Sequence, residues 1–305
     1  MSAGLRVGTR GSALAVAQTT TVADALARAT GRPTTLVTVR TEGDVSARPL
    51  AELGGAGVFA AALRRALLAG ECDLVVHSLK DLPTAPEPGL AIAAMPARAD
   101  ARDALCARDG LTLAALPAGA RVGTGSPRRA AQLLARRPDL AVTGLRGNVD
   151  TRLRTVADGA LDAVVLAAAG LDRLGRAAEA TERFELDEWP TAPGQGALAV
   201  EVRAGEEHLA AMLDDAPTRL AAQAERRVLA LLEAGCSAPV GVHARLASDG
   251  LRLAARVYRL DGGAQLAASA VAPVPAGPDA LEALAARVAG ELLDAGAGEL
   301  AKVGA

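Results

Sequence analysis

His77-Ser78-Leu79-Lys80-Asp81-Leu82-Pro83-Thr84 follows a short apolar run, Cys72-Asp73-Leu74-Val75-Val76. The run reads as a buried strand of a parallel sheet, which puts the charged pair Lys80-Asp81 where that strand ends. In open α/β sheets, ligands bind outside the carboxyl ends of the strands. Pro83 disfavours helix in the residue before it, so the pair is expected on a short, stiff connection. Lys80 is unusual in this chain, because 31 of the 33 basic residues are arginine and lysine occurs only at 80 and 302. A lysine kept in so arginine-rich a sequence suggests that a compact, flexible ammonium is wanted there. For this stretch taken alone, a solvated salt bridge at a strand end is an equally good reading.

Working outward, Leu5 to Thr9 is expected to be a first strand, and Ser12 can cap a helix from Ala13 to about Ala29. Thr35 to Val39 reads as the next strand, and Thr41-Glu42-Gly43-Asp44 as a loop. A glycine-rich turn, Gly54 to Phe59, opens a helix to Ala69, and Ala91 to Met95 is another short strand. The chain then repeats itself. Arg121-Val122-Gly123-Thr124 copies Arg6-Val7-Gly8-Thr9, and Gly159-x-x-Asp162-x-Val164-Val165 copies Gly70-x-x-Asp73-x-Val75-Val76 in the same order. Two similar α/β domains follow from this, each starting on an RVGT strand. The second copy runs into Leu166-Ala167-Ala168-Ala169-Gly170 with no Lys-Asp pair, so the special chemistry belongs to the first. Trp189 to Gly196 is a Pro/Gly-rich crossing that reads as a hinge or linker, followed by a strand from Leu198 to Val202. From about Ala216 the character changes to a smaller α+β domain. It has a helix from Arg219 to Ala234, strand-like segments at Val242–Leu246 and Leu251–Leu260, and a helix from Asp279 to Asp294.

At 305 residues the chain can fill two or three cores. Aromatic residues make up 1%, which removes the stacking platforms that single-stranded nucleic acid uses. A net charge of −2 gives no general attraction to nucleic acid or anionic lipid. There is no signal-peptide pattern and no long uncharged apolar run, so a soluble, cytoplasmic protein is expected. Cys72, Cys106 and Cys236 are odd in number and far apart, and His77, His208 and His243 show no ligand spacing. Neither a disulfide framework nor a metal site is expected.

Three helix starts carry arginines where the helix dipole disfavours them. Ser126-Pro127-Arg128-Arg129 puts two cations in a first turn, Arg10 sits just ahead of the Ser12 cap, and Arg146-Gly147-Asn148 precedes a helix with Arg152 one turn in. Each such placement costs roughly 0.3–1 kcal/mol unless something negative is present. One case could be composition bias with Asp or Glu neighbours, but three together indicate carboxylate or phosphate binding. Cys236 lies just past a helix end, between Gly235 and Pro239, on a turn a ligand can reach. Cys72 and Cys106 read as small core residues.

These segments together resemble the porphobilinogen deaminases, also called hydroxymethylbilane synthases, over essentially the whole chain. The resemblance is carried by Arg6 to Ala15, Thr41 to Asp44, His77 to Pro83, Val122 to Arg129, Leu145 to Leu153, Ala192 to Ala197 and Glu225 to Gly241. It implies two domains of the periplasmic-binding-protein type II fold, with mixed sheets and helices on both faces, plus a small α+β C-terminal domain. The implied division is 1–97 with 195–215, then 98–194, then 216–305. It also implies a dipyrromethane cofactor attached to Cys236 by a thioether. Four porphobilinogen molecules would be joined head to tail with loss of ammonia, through an azafulvene, and hydroxymethylbilane released by hydrolysis.

By the same resemblance Asp81 is the catalytic carboxylate. Ser78, Lys80, Asp44, Thr124, Ser126, Arg128, Arg129, Arg146 and Arg152 are cofactor-binding, Arg10 and Ser12 meet the incoming substrate, and Gln195 lines the cleft as a further substrate contact. The partner is the small-molecule substrate, with no nucleic acid or membrane, and the protein is expected to be a monomer. The chain departs from the family pattern at Ala56, Ala234 and Ala238. The alternative is a non-enzymatic anion-binding protein of the periplasmic-receptor fold, which would have no use for the third domain or Cys236.

Overall fold

Both RVGT segments are strands, and each sits second in a five-stranded sheet. The computed structural model describes residues 4–40, 57–234, 238–274 and 277–301. The chain divides into two compact units, Met1–Ala99 with Gly196–Arg219, and Asp100–Gln195 with Leu220–Ala305.

In chain order the first unit begins with β1 (Leu5–Arg10), α1 (Ala13–Thr30), β2 (Thr34–Val39), α2 (Gly57–Leu68), β3 (Leu74–Ser78) and β4 (Leu90–Ala94). Ser12 caps α1 by accepting a bond from the Ala15 amide, and Gly31, with φ 68°, ends it in the left-handed region. Gln18, Val22 and Leu26 recur at the i, i+4 spacing that turns one face of α1 onto the sheet. The second unit continues with β5 (Asp103–Ala107), β6 (Arg121–Thr124), α3 (Pro127–Arg136), β7 (Ala141–Gly144), α4 (Val149–Ala157), β8 (Ala163–Ala167), α5 (Ala168–Arg173) and β9 (Glu182–Arg183). The chain then returns to the first sheet as β10 (Leu198–Arg203).

The two sheets have the same plan. Their orders are β2-β1-β3-β10-β4 and β7-β6-β8-β5-β9, a parallel trio followed by antiparallel strands. The repeated aspartates have the same structural role in both copies. Asp73 accepts from the Arg6 amide at 2.8 Å, and Asp162 accepts from the Arg121 amide at 2.7 Å. Gly8 permits the close approach of β3, since a Cβ there would lie 2.8 Å from Val75 Cγ1.

α6 (Ala216–Leu231), β11 (Val240–Ala247), β12 (Gly250–Tyr258), β13 (Gln265–Ala272), α7 (Pro278–Asp294) and α8 (Ala297–Leu300) complete the chain. They build a small α+β body on a three-stranded antiparallel meander, with Val228, Val242, Leu253, Leu284 and Val288 in its core. The expected mixed α/β architecture with a smaller C-terminal sheet is therefore what the chain forms.

Local expectations need adjustment. The strand before Lys80 runs on to Ser78 rather than stopping at Val76, and Leu79–Asp81 makes one 3-10 turn before Pro83. That strand is parallel to β1 but antiparallel to β10, so its sheet is mixed rather than parallel. The crossing Trp189 to Gly196 contains the boundary between the two units, as a linker would, and it is packed rather than solvated. Trp189 is buried and stacks on Phe184 with ring centroids 4.3 Å apart, and the Thr191 carbonyl accepts from the Val242 amide. β5, β7, β9 and β13 escape the sequence reading; β7 and β9 are only four and two residues long, and half of β13 is alanine, with little apolar alternation.

β10 also carries Glu201 into the first unit, where it is 2% exposed. Burial alone would raise its pKa, but His77 and Arg64 outweigh burial and bring it from 4.5 down to about 2. A carboxylate depressed on folding contributes stability above its unfolded pKa, and loses it as pH falls through the folded value. Unfolding free energy measured by denaturant should therefore drop between pH 4.5 and 2, with Glu201→Gln flattening that part of the curve.

Candidate functional site

In the first unit the register Val7↔Leu74 and Gly8↔Val75 brings the carboxyl ends of β1 and β3 side by side. Arg10 at one end and Ser78 to Asp81 at the other thus share one sheet edge. Leu79 is fully buried and donates its amide to the Ala197 carbonyl at 3.1 Å, and Leu82, 2% exposed, donates to the Leu79 carbonyl at 3.1 Å. Two buried leucines three residues apart fix a rigid turn. Lys80 and Asp81 lie between them, both half-buried. Ser78 and Gln18 exchange side-chain bonds, with Gln18 Nε2 donating at 3.0 Å and Ser78 Oγ donating at 3.2 Å. Gln18 is a residue the sequence reading missed, although an amide on the buried face of an apolar helix was a visible signal. Ser12 is occupied as the α1 cap.

In the second unit the arginine-rich turn is built around Asp103, the first residue of β5. Asp103 is completely buried. It accepts from Arg128 Nη2 at 2.9 Å, Arg129 Nη2 at 2.6 Å, Trp189 Nε1 at 3.0 Å and Gln195 Nε2 at 2.8 Å. Burial would raise its pKa, but Arg129 and Arg128 outweigh that and hold it well below the usual carboxylate range. Burial lowers the pKa of Arg128, opposed by Asp103. Arg128 also donates to Gln132 Oε1 at 2.5 Å and to the Pro190 carbonyl at 3.2 Å. Arg129 donates to the Val165 carbonyl at 3.1 Å, while its Nε is buried without an acceptor.

The backbone around these cations is equally specified. Ser126 caps α3, its Oγ accepting from the Arg129 amide at 3.5 Å, and Thr124 Oγ1 accepts from the Ser126 amide at 3.2 Å. Asn148 caps α4 through the Thr151 amide at 2.8 Å. Arg152, one turn on, donates to the Gly147 carbonyl at 2.8 Å, and its pKa is lowered by burial and then by Arg129. Gly125 has no room for a side chain, since a Cβ would come 2.6 Å from the Leu145 carbonyl oxygen and 3.8 Å from Arg152 Nη2. Arg128 and Arg129 share one carboxylate, and Arg152 adds a further charge beside Arg129. The turn therefore carries excess positive charge and an orphaned buried N–H, which suits an organic carboxylate.

Ser126, Thr124, Arg128, Arg129 and Arg152 are thus brought together, and Arg146 lies on the exposed preceding turn. Gln195 is 1% exposed, with its amide held by Asp103, the Ala101 carbonyl and Arg129. It holds the arginines in place rather than presenting a free edge. Asp103 and Arg173, whose pKa burial lowers, were not picked out from the sequence. Asp44, Cys236 and the Ala56 departure lie outside the described residues. Cys72 and Cys106 are core thiols pushed up by burial to about 11 and about 12, which leaves them unreactive near neutrality. Among the described residues no group of three His, Cys, Asp or Glu side chains could hold a metal ion.

Two family models match the chain. "Porphobilinogen deaminase, dipyromethane cofactor binding domain" matches residues 5–211, and "Porphobilinogen deaminase, C-terminal domain" matches residues 219–294. Porphobilinogen deaminase of Leifsonia xyli is 62% identical, the match covering 97% of this chain and 94% of the relative. That of Thermobifida fusca is 52% identical, covering 97% and 95%. Among solved structures, the methionine binding protein MetQ is similar at 11% identity and a TM-score of 0.45, covering 69% of this chain and 89% of that one.

Asp103→Asn keeps the shape but leaves Arg128 and Arg129 without their shared counter-charge. Removing one partner of a buried ion pair typically costs about 3–5 kcal/mol. Urea unfolding at neutral pH should show a loss of that order, while Asp187→Asn, at an exposed position, should change little.

Proposed function

Because the chain belongs to the porphobilinogen deaminase family, we propose that it joins four porphobilinogen molecules head to tail, with loss of ammonia, on a covalently bound dipyrromethane, and then hydrolyses off hydroxymethylbilane. It is an enzyme of tetrapyrrole synthesis, and on this reading a transferase. The observation that carries the proposal is the Asp103 turn, where two buried arginines share one carboxylate and Arg129 Nε lacks an acceptor.

The residues present fit a group bearing several carboxylates. Arg128, Arg129 and Arg152 would hold the dipyrromethane side chains, with Ser126, Thr124, Lys80, Ser78, Arg146 and Asp44 as further ligands. The thioether would be made by Cys236. When bound, the group supplies the nucleophilic pyrrole carbon from which the chain grows. Arg10, Ser12 and Gln195 are assigned to the incoming porphobilinogen. For Gln195 the buried, fully engaged amide favours action through Arg129. Asp81 is a fixed carboxylate at the end of β3. There it can offset positive charge developing on a pyrrole nitrogen. It can also give a proton to the departing amine and take one from the newly bonded ring carbon. Lys80 beside it offers a mobile ammonium to a substrate carboxylate.

Three domains with these roles are proposed, 1–97 with 195–215 for the catalytic carboxylate, 98–194 for carboxylate binding, and 216–305 for cofactor attachment. We also read the protein as a cytoplasmic monomer that engages neither nucleic acid nor membrane. The net charge of −2 gives no general attraction to nucleic acid or anionic lipid, and no helix among the described residues is long and apolar enough to cross a membrane.

Purified protein should exceed its sequence mass by two linked pyrrole units. Cys236→Ser should abolish that increment, Cys72→Ser should keep it, and Arg129→Leu should leave part of the protein without it. An intact mass spectrum of active enzyme at the bare sequence mass would refute the assignment, and is what a simple anion receptor would give.

Asp81→Asn preserves shape but can neither balance a cation nor exchange a proton. Turnover should fall by about 10²–10³ or more, with the fold and the mass increment retained. A rate within a few-fold of the parent would reduce Asp81 to a structural partner of its neighbours.

A further inference from the structure

The first unit contains a buried charge relay that the chemistry above does not use. Arg64, on α2 and 7% exposed, donates to Glu201 through Nε at 3.0 Å and Nη2 at 2.7 Å, and to Glu87 through Nη1 at 2.8 Å. Glu201 Oε2 in turn lies 3.1 Å from His77 Nε2, an electrostatic approach not aligned as a hydrogen bond. His77 is the residue just before Ser78, and Glu87 lies six residues after Asp81. One guanidinium is therefore tied to both ends of the stretch that carries Lys80 and Asp81.

We propose that Arg64 is a positioning residue, which braces the Lys80-Asp81 turn from both sides through Glu201–His77 and through Glu87. The connection between Asp81 and Glu87 is stiff, because Pro83 and Pro86 fix their own φ angles and restrict the residues before them. Pro88 does the same on the far side of Glu87, and the Glu87 carbonyl is held by the Leu90 amide at 3.1 Å. A fixed Glu87 therefore limits where Asp81 can go. On the other side His77 pairs with Ala199 and Ser78 with Leu198, so the relay and the β10 ladder hold the same two residues. A buried ion pair adds little net stability over well-packed apolar groups of the same volume, so placement is the better account of why these charges are buried.

The proposal rests on Asp81 performing the chemistry, and its test separates the two ideas. Glu87 is 40% exposed at its side chain, so Glu87→Gln should fold like the parent. In the holoenzyme kcat should fall about tenfold, as expected for a displaced catalytic group, with KM, mass increment and Tm unchanged. Hydrogen exchange should accelerate at the Leu79 and Leu82 amides but not in α7. The double variant Arg64→Met/Glu201→Met, which leaves neither buried charge unpaired, should behave alike. Parental kcat in both variants overturns the proposal, and so does loss of activity accompanied by lower Tm and faster exchange throughout, which is what a purely structural relay would give. The underlying reading fails separately, if Asp81→Asn retains activity.

Discussion

A single carboxylate, Asp103, has no exposure to water and four donors around it. An unpaired carboxylate in that position would take up a proton or unfold its surroundings. The donors that prevent this come from separate parts of the second unit. Arg128 and Arg129 belong to α3, and Trp189 and Gln195 to the crossing that leads back to the first sheet. Gln132 extends the connection. It accepts from Arg128 and donates to the Pro190 carbonyl at 2.9 Å and to the Tyr258 hydroxyl at 3.1 Å, on β12. Helix, crossing and C-terminal sheet are thereby referred to one charge, and the cations of the arginine-rich turn are fixed by the same bonds.

The internal repeat makes the difference between its copies informative. Both keep the Arg-to-Asp clamp between the first and third strands and a glycine where those strands meet. They diverge where the third strand ends. β3 runs into Lys80-Asp81, while β8 runs into Ala168-Ala169 and the short α5. The second copy instead places its charges in the turns after β6 and before α4, and they are cationic. One copy presents a carboxylate on a rigid turn and the other gathers guanidinium groups. That division suits the proposed reaction, which develops positive charge at one atom while holding many carboxylates elsewhere.

Much of this was legible in the sequence because it rests on local rules. The cap at Ser12, the helices that begin after Ser126 and Asn148, the RVGT repeat and the strand before Lys80 depend on residues close in the chain, and each lies within a few positions of where it was expected. The arginines at helix starts stood out because they oppose the dipole. What the sequence did not reveal was their partner, since Asp103 lies 25 residues before Arg128 and only the sheet order brings them together. The same holds for Arg64 and Glu201, 137 residues apart. The crossing is legible as a linker, since the chain passes from one unit to the other between Gln195 and Gly196, but proline and glycine signal a turn without indicating that it is buried. β13 was missed because alanine-rich strands lack the alternation that marks a half-buried sheet face.

The preference for arginine follows from this arrangement. A lysine taken out of water as far as Arg128 or Arg152 loses charge easily, because desolvation favours its neutral form. An arginine starts so far above neutrality that lowering its pKa, as burial does for both residues, leaves it charged. It also has five donors in a plane. Arg129 can spend some on Asp103 and the Val165 carbonyl and still direct Nε elsewhere, and Arg152 can be held by the Gly147 carbonyl through Nε with its other nitrogens left over. Fixed, permanently charged forks suit carboxylates that must be held in place through repeated additions. Lys80 sits on the half-buried turn beside Asp81, where three rotatable donors on a flexible stem can follow a ligand that moves. On the proposed function, the one lysine among the assigned residues thus stands where a flexible side chain on a fixed turn is the physical requirement.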